Sequence, residues 1–274
     1  MDINLSIDAN EISIILKDFI KTYLLNSGCN GVVIGLSGGV DSAVVAKLCR
    51  NILSKKNTRC VFMPDYTTPQ LDFKHLDFLV KKLDLYCEKK DITNLVDDVN
   101  KNSIIKPNKF ALANIKTRIR MSLLYEFANM TNCLVCGTSN KSELLVGYFT
   151  KYGDGGVDIQ PIGDLYKTQV RELAHYLNIP KAIISKPPMA GLWKGQTDEK
   201  ELKISYKKLD LILAGLEQKI RIEEITKIAG VKKSDVEHVN KMRVLSQHKR
   251  GTPLIPKIGL RTVGIDWRSP IQNG

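Results

Sequence analysis

One octapeptide limits the folds open to this chain more than any other stretch: Gly35-Leu36-Ser37-Gly38-Gly39-Val40-Asp41-Ser42. The apolar run Val32-Val33-Ile34 leads into it, and a helix-like stretch over residues 42–53 leads out. A strand that ends in a glycine-rich turn and opens a helix forms a phosphate cradle. Successive backbone N–H groups and the positive end of the helix macrodipole stabilise oxyanions there. Gly38 and Gly39 allow close backbone approach and positive φ without a Cβ penalty. Ser37 and Ser42 add hydroxyl donors, and Asp41 is of a type to hold a Mg²⁺ that bridges phosphate oxygens. The loop is not a Walker A motif, because Asp41 stands before Ser42 and Lys47 lies more than a helical turn further on. Nor is it the GxGxxG of a dinucleotide fold. The plain structural alternative is a serine-glycine turn with a helix-capping Asp.

At 274 residues the chain suits one large domain or two small ones, with ample length for a full core. Residues 10–26 carry Ile12, Ile15, Leu16, Phe19, Ile20, Tyr23 and Leu24 at helical spacing; Gly28 ends that helix, and a first strand runs over 31–36. After the loop and its helix come a strand at 59–63, a turn-rich connection at 64–69, a helix at 71–83 and a strand at 85–91. A long helix over 108–130 is broken by Thr131-Asn132, and Cys133-Leu134-Val135-Cys136 makes a fourth strand. Alternating strands and helices predict an α/β fold with a doubly wound parallel sheet. Ligands in such sheets lie beyond the carboxyl ends of the strands, which brings residues 35–42, 64–69 and 137–143 to one edge. Beyond Tyr166 the strand signals fade, and helices at 167–177, 200–218 and 233–248 dominate. No repeat period or low-complexity linker is visible. The chain therefore reads as a single domain over 1–274, with an α/β core over about 1–165 and a mostly helical C-terminal extension over about 166–274.

Composition, 43% hydrophobic and 26% charged, is ordinary for a globular protein. The first residues show no basic stretch followed by an apolar one, and no run approaches the roughly 20 apolar residues that cross a bilayer, so a cytoplasmic location without a membrane partner is expected. Of the six cysteines, Cys133 and Cys136 are spaced as CxxC, but no second pair or nearby His completes a tetrahedral metal site. The formal charge is +12, and after Glu237 the only acid is Asp266 against Lys241, Arg243, Lys249, Arg250, Lys257, Arg261 and Arg268. Such a tail suits nucleic acid, a polyanionic small substrate or a solvated face.

Residues 137–143 follow the fourth strand and open a short helix with hydroxyls, an amide and a carboxylate at the ligand edge. Alone they are a good N-cap sequence. Beside the 35–42 loop they acquire another meaning, since Asp41 and Glu143, from two strand ends, can grip one Mg²⁺ on a triphosphate.

Residues 37–42 resemble the pyrophosphate-binding loop of the N-type ATP pyrophosphatases, which split ATP into AMP and pyrophosphate. Further stretches narrow the resemblance to the ammonia-dependent NAD synthetases: 118–121 (RIRM), 137–143 (GTSNKSE), 147–154 (GYFTKYGD), 167–170 (KTQV), 191–199 (GLWKGQTDE) and 248–250 (HKR). They stand in the family's order across nearly the whole chain. The first loop alone is shared with GMP synthetase, asparagine synthetase and tRNA-thiolating enzymes, whereas the later set is far more specific. The resemblance implies a Rossmann-like fold of the adenine nucleotide alpha hydrolase type. It also implies ATP-dependent amidation of nicotinic acid adenine dinucleotide (deamido-NAD) by ammonia. In that reaction the nicotinate carboxylate attacks the α-phosphate, pyrophosphate leaves, and ammonia then displaces AMP from the acyl-adenylate. Such catalysis is chiefly positioning and charge neutralisation.

The same resemblance implies ATP contacts at residues 35–42, Thr138 and Lys167, with Mg²⁺ as cofactor held by Asp41 and Glu143. Asp41 and Lys167 are the implied catalytic residues, Lys167 neutralising charge as pyrophosphate departs. Arg118, Lys151, Asp158, His248 and Lys249 match contacts to the dinucleotide. Each has a plain alternative: a solvated helix face for Arg118, a turn for Asp158, a helix end for His248 and Lys249. Met189 stands where the family usually places Ser or Thr as an ATP contact. Met has no hydroxyl to donate, so either a backbone group serves at Met189 or the contact is missing. The turn at 64–68 follows the family only loosely, and no adenine contacts are assigned there. Residues 191–199, rich in Gly and polar residues, have the composition of a mobile loop that closes over the site and shields the acyl-adenylate.

The family works as homodimers with the dinucleotide site near the subunit interface, so a homodimer is expected. Glutamine-dependent relatives carry a glutaminase domain with its own Cys nucleophile. Here only about 30 residues precede the first strand, and Cys29 has no Gly-rich nucleophile setting, so no glutaminase domain is expected and ammonia is the donor. A tRNA-modifying pyrophosphatase would account for the basic tail but lacks a recognisable RNA-binding module and a sulfur-handling cysteine pair, so no nucleic-acid partner is expected. A non-catalytic nucleotide-binding module would make the joint presence of Asp41, Glu143 and Lys167 a coincidence.

Overall fold

The structure, a computed structural model, describes residues 3–193 and 195–263. Lys194 of the 191–199 stretch, and Asp266 and Arg268 of the basic tail, lie outside the described residues. Helix α1 (Ala9–Ser27) starts where the Asp8 carboxylate accepts from the backbone of Asn10 and Glu11, and it ends at Gly28 in the left-handed region. Then follow β1 (Gly31–Gly35), α2 (Val40–Ile52), β2 (Thr58–Phe62), α3 (Gln70–Leu83), β3 (Tyr86–Lys89) and α4 (Thr93–Lys101). Asn108 caps the long α5 (Lys109–Thr131), Asn132 ends it at φ 50°, and β4 (Cys133–Cys136) follows at once. The chain continues through α6 (Lys141–Val146), α7 (Lys167–Tyr176), α8 (Lys181–Ile184) and α9 (Asp198–Leu202). It closes with α10 (Tyr206–Glu217), α11 (Ile222–Ala229), α12 (Lys233–Leu245) and α13 (Gln247–Arg250).

All strand pairs are parallel, in the order β3-β2-β1-β4. Ile34 lies level with Cys60 on one side and Cys136 on the other. Because side chains alternate across a strand, one sheet loads two cores. Val32, Ile34, Cys60, Phe62 and Cys136 pack on the face covered by α1, α2, α3 and α7. Val33, Val61, Cys133 and Val135 pack on the face covered by α4 and α5. Burial of each such aliphatic side chain stabilises the fold by roughly 2 kcal/mol. Cys133 and Cys136 thus point into different cores and cannot share a metal; all six cysteines are free thiols.

A third core belongs to the helical extension. Tyr206, Leu209, Ile212 and Leu213 of α10 pack with Ile225 of α11, Val236 and Val239 of α12, Val146 of α6 and Ile3 from the amino end. The extension is cut more finely than its periodicity suggests. The helix expected at 200–218 is split into α9 and α10 at Lys203, whose φ of 57° cannot continue a right-handed helix. The one expected at 233–248 pauses at Ser246 between α12 and α13. Helices α4 and α11 fall in stretches that read as connections; of the apolar residues of α4 only Val96 is buried, while Leu95 and Val99 are exposed. Among the described residues no helix is long and apolar enough to cross a membrane.

Candidate active site

The strand order sets the carboxyl ends of β1 and β4 side by side, and the crevice lies beyond them. Residues 35–42 leave β1 there, and residues 137–143 leave β4. Gly38 takes φ +75°, where a side chain is strained, and a Cβ on it would also crowd the Asp72 carbonyl oxygen at 3.3 Å. The turn then closes on itself. The Ser37 N–H donates to Ser42 Oγ at 3.2 Å, Ser42 Oγ donates to the Gly39 carbonyl at 3.1 Å, and the Gly39 N–H donates to Ser37 Oγ at 3.3 Å. Gly39 is the extended N-cap of α2, which leaves the first N–H groups of that helix directed at the crevice, the geometry that receives phosphate.

Across the crevice, α6 starts with a capping box: Asn140 Oδ1 accepts from the Glu143 N–H at 3.0 Å, and the Asn140 N–H donates to Glu143 Oε2 at 3.3 Å. Asn140 Nδ2 also donates to Asp41 Oδ1 at 3.0 Å, tying the two loops together. Between them stands the Lys167 ammonium, 2.5 Å from Asp41 Oδ2 and 3.1 Å from Glu143 Oε1. Lys167 is 3% exposed. Burial alone would depress its pKa, but Asp41 and Glu143 outweigh burial and hold it raised. Glu143 is pushed up to about 7 by burial, with Asp41 and Asp198 adding to the effect and Lys167 opposing it. Carboxylates outnumber the ammonium, a charge deficit that a divalent cation would fill. Among the described residues no group of three or more His, Cys, Asp or Glu side chains could hold a metal by itself. Two hard carboxylates, completed by phosphate oxygens and water, are a donor set that fits Mg²⁺.

The spacing of this centre is set from outside it. Asp210, fully buried in α10, accepts from Ser142 Oγ at 2.5 Å and from the Thr168 N–H and Oγ1 at 2.9 and 2.8 Å. Ser142 Oγ in turn accepts from the Lys167 N–H at 2.9 Å. The starts of α6 and α7 are therefore joined through one carboxylate. Tyr206, a core residue of the extension, extends its hydroxyl to Asp198 Oδ2 at 3.2 Å and Glu143 Oε1 at 3.5 Å.

Above this floor opens a cleft of about 790 Å³. Gly35, Leu36, Ser37, Gly39, Val40, Asp41, Ser42, Thr138, Glu143, Lys167 and Met189 all line it, as does Lys249. Gly38 instead faces α3. The expected dinucleotide residues are not gathered there. Arg118 is exposed and braces the Lys151 carbonyl at 3.3 Å, and the Lys151 ammonium lies 5.1 Å from the Tyr152 ring. Asp158 Oδ1 accepts from the Tyr125 hydroxyl at 2.9 Å, and Oδ2 accepts from the Val135 N–H at 2.7 Å, so one oxygen holds α5 and the other β4. Asp158 and Lys249 share a second cavity of about 390 Å³ beside Gln160 and Arg250. Lys249 donates to the carbonyls of Gly147 and Phe149 at 2.8 and 2.9 Å, and burial lowers its pKa. His248 is exposed on α13.

Several cleft residues escape the sequence reading. Asp65, at the end of β2, ion-pairs with Lys116 at 3.1 Å and Arg120 at 3.2 Å. Its pKa is lowered: burial pushes upward, and hydrogen bonds from Thr67 together with Arg120 and Lys116 more than reverse it. Lys186 pairs with Asp72 at 2.5 Å on the wall beside the glycine loop. Asp198 lies in the quoted 191–199 stretch, but its burial against Tyr206 and Tyr148 is a tertiary fact. The one signal for Asp65 was its place at the carboxyl end of a strand.

Comparisons with known proteins bear on the family. The family described as NAD synthase matches residues 12–253. The NH(3)-dependent NAD(+) synthetase of Saccharolobus solfataricus is 44% identical over 271 residues, 97% of this chain and 96% of its own length. Among solved structures, the NH3-dependent NAD synthetase of Campylobacter jejuni, in complex with the nitrate ion, is 34% identical with a TM-score of 0.78, covering 92% of this chain and 100% of that one. The NMN synthetase of Francisella tularensis is 32% identical with a TM-score of 0.81, again over 92% and 100%.

Proposed function

The chain belongs to the NAD synthase family, and from that premise we infer the reaction its cleft performs. It is a ligase that forms a C–N bond, amidating deamido-NAD with ammonia at the expense of ATP. AMP and pyrophosphate are the other products. The observation that carries this reading is the meeting of Asp41, Glu143 and Lys167 at the mouth of a phosphate-cradling turn. A carboxylate is a poor acyl donor, so the site must first make it a leaving-group ester. The N–H groups at the start of α2 and the hydroxyls of Ser37 and Ser42 receive the phosphate chain. Lys167, held protonated by its neighbours, stabilises the charge that grows on departing pyrophosphate. No lysine stands at the Walker position, which suits attack at the α-phosphate rather than transfer of the γ-phosphoryl group.

The site assignments are proposals on the same footing. Asp41 and Glu143 would hold Mg²⁺, which when bound neutralises phosphate charge. Gly35 to Ser42, Thr138 and Met189 serve ATP. Arg118, Lys151, Asp158, His248 and Lys249 serve the dinucleotide, and the position of all but Lys249 away from the main cleft supports a homodimer in which a second copy completes that site. The grip of Asp210 and Tyr206 on the floor supports treating core and extension as a single functional unit. Six free thiols support a reducing, cytoplasmic location.

One assay tests the reading. The pure chain with ATP, Mg²⁺, deamido-NAD and ammonium forms NAD and AMP in equal amounts, and Asp41→Asn nearly abolishes both. Amidation of the acid corresponding to NMN in preference to deamido-NAD would move the assignment toward the Francisella relative. AMP formation that depends on tRNA instead would overturn it.

A further inference from the structure

In the connection between α8 and α9, Gly191, Leu192, Trp193 and Gln196 roof the cleft. The loop's ends meet, the Asp198 N–H donating to the Pro188 carbonyl at 3.1 Å. Gly191 at φ +64° and Gly195 at φ +77° turn the chain in open space, with nothing within 4 Å of a Cβ position. Inside the loop the Leu192 N–H donates to Gln196 Oε1 at 2.7 Å. At its tip Trp193 meets Phe110 edge to face, ring centroids 5.7 Å apart, and the Lys109 ammonium lies 3.9 Å from the Trp193 ring. Phe110 is itself 65% exposed, so this contact is a weak anchor.

The strong anchor is Lys116. An ammonium has three N–H donors and no acceptor. On Lys116 they meet Asp65 Oδ2 at 3.1 Å, Thr67 Oγ1 at 3.2 Å and the Leu192 carbonyl at 3.1 Å. Asp65 and Thr67 belong to the 64–69 turn, and Leu192 alone belongs to the loop. Lys116 is 1% exposed. Lifting the loop leaves one N–H of a buried cation without its acceptor, which biases the loop toward the closed position.

We propose that Lys116 is a positioning residue that, through the Leu192 carbonyl, holds the roof residues Gly191, Leu192 and Trp193 shut over the cleft while the activated carboxylate waits for ammonia. The proposal rests on the acyl-adenylate reading above. In the productive step ammonia attacks the carbonyl carbon, a C–N bond forms, the C–O bond to AMP breaks, and a proton is released. If water attacks instead, a C–O bond to water forms, the same bond to AMP breaks, and the free carboxylate returns with AMP and a proton. ATP is then consumed without NAD. Water is present in vast excess over ammonia, so the roof decides the ratio.

The test measures AMP and NAD together in wild type, Lys116→Met and Lys116→Arg at saturating ATP, deamido-NAD and ammonium. Wild type forms the two in equal amounts. Lys116→Met forms severalfold more AMP than NAD. Lys116→Arg keeps the charge beside Asp65, and with it the fold, but cannot repeat the three-way geometry, and falls between; if the Met variant does not fold, the Arg variant decides. Trp267→Phe leaves Trp193 as the sole tryptophan of the two in the chain, and acrylamide quenches it more strongly in both Lys116 variants. AMP and NAD in equal amounts in both variants, or unchanged quenching, overturns the role of Lys116. A wild type that makes no AMP in the presence of deamido-NAD overturns the amidation reading instead, and quenching then tests the clamp by itself.

Discussion

The floor and the roof of the cleft each centre on a buried lysine, and the two lysines differ in the sign of their surroundings. At Lys167, the carboxylates of Asp41, Glu143 and Asp198 all act on one ammonium. At Lys116, a single carboxylate, Asp65, serves two cations, Lys116 and Arg120, and the remaining donors end on Thr67, Leu192 and the Met63 carbonyl. The first centre carries a surplus of negative charge and opens on the cleft. The second has every donor of its ammonium occupied and is sealed. Surplus charge facing a cavity is reserved for what enters it, whereas satisfied charge fixes shape.

Three experiments break or sharpen this contrast. The largest effect is expected at the floor: Lys167→Met removes the cation proposed to meet departing pyrophosphate and lowers kcat/KM by about a thousandfold, the upper range for one electrostatic contact. Its thermal unfolding should move far less, since Asp41 and Glu143 keep part of their surface on the open cleft, where water can reach them. A stability loss as large as the activity loss would show that Lys167 holds shape as Lys116 does. Next comes Asp65→Asn, which leaves two cations without their counter-charge and destabilises the fold by about 3 kcal/mol, toward the low end for a broken buried pair because Arg120 is partly exposed. The pH dependence gives the sign. Asp65 has a folded pKa below its unfolded value of about 3.9, so its contribution is full above that value and fades as the pH falls through the lower, folded one. Denaturant midpoints followed from about pH 6 downward should therefore drop less steeply below about pH 4 in Asp65→Asn than in wild type. The smallest effect is at Met189, on the cleft wall. Met189→Thr restores a hydroxyl there and should lower the KM for ATP by about two- to tenfold, the worth of one hydrogen bond; an unchanged KM would mean that a backbone group already makes the contact.

The floor was largely legible in the sequence and the roof was not. Val32-Val33-Ile34 followed by a glycine pair and Asp41 is a local pattern, complete within a dozen residues, and the four parallel strands follow from it and its echoes. Glu143 and Lys167 came with motif stretches that resemble a known family. Lys116 gives no such sign. It sits on a helix with other basic residues, where a solvated face is the natural reading, and its acceptors are 49 and 76 residues away in sequence. The pairing of Tyr206 with Asp198 and Glu143 is equally silent, because nothing local distinguishes a core tyrosine whose hydroxyl reaches a carboxylate. The residues matched to dinucleotide contacts show the converse limit: a motif names Arg118 and His248, yet the fold does not bring them to the cleft.

Asp210 bears on how far such a chain can be taken apart and recombined. It lies in the helical extension, makes no contact with the cleft, and still fixes how the helix start carrying Glu143 meets the one carrying Lys167. The boundary near residue 165 is thus a seam in topology and not in chemistry. A chimaera joined there inherits a working centre only if an acid at position 210 travels with hydroxyls at 142 and 168, so these three positions form one unit of exchange.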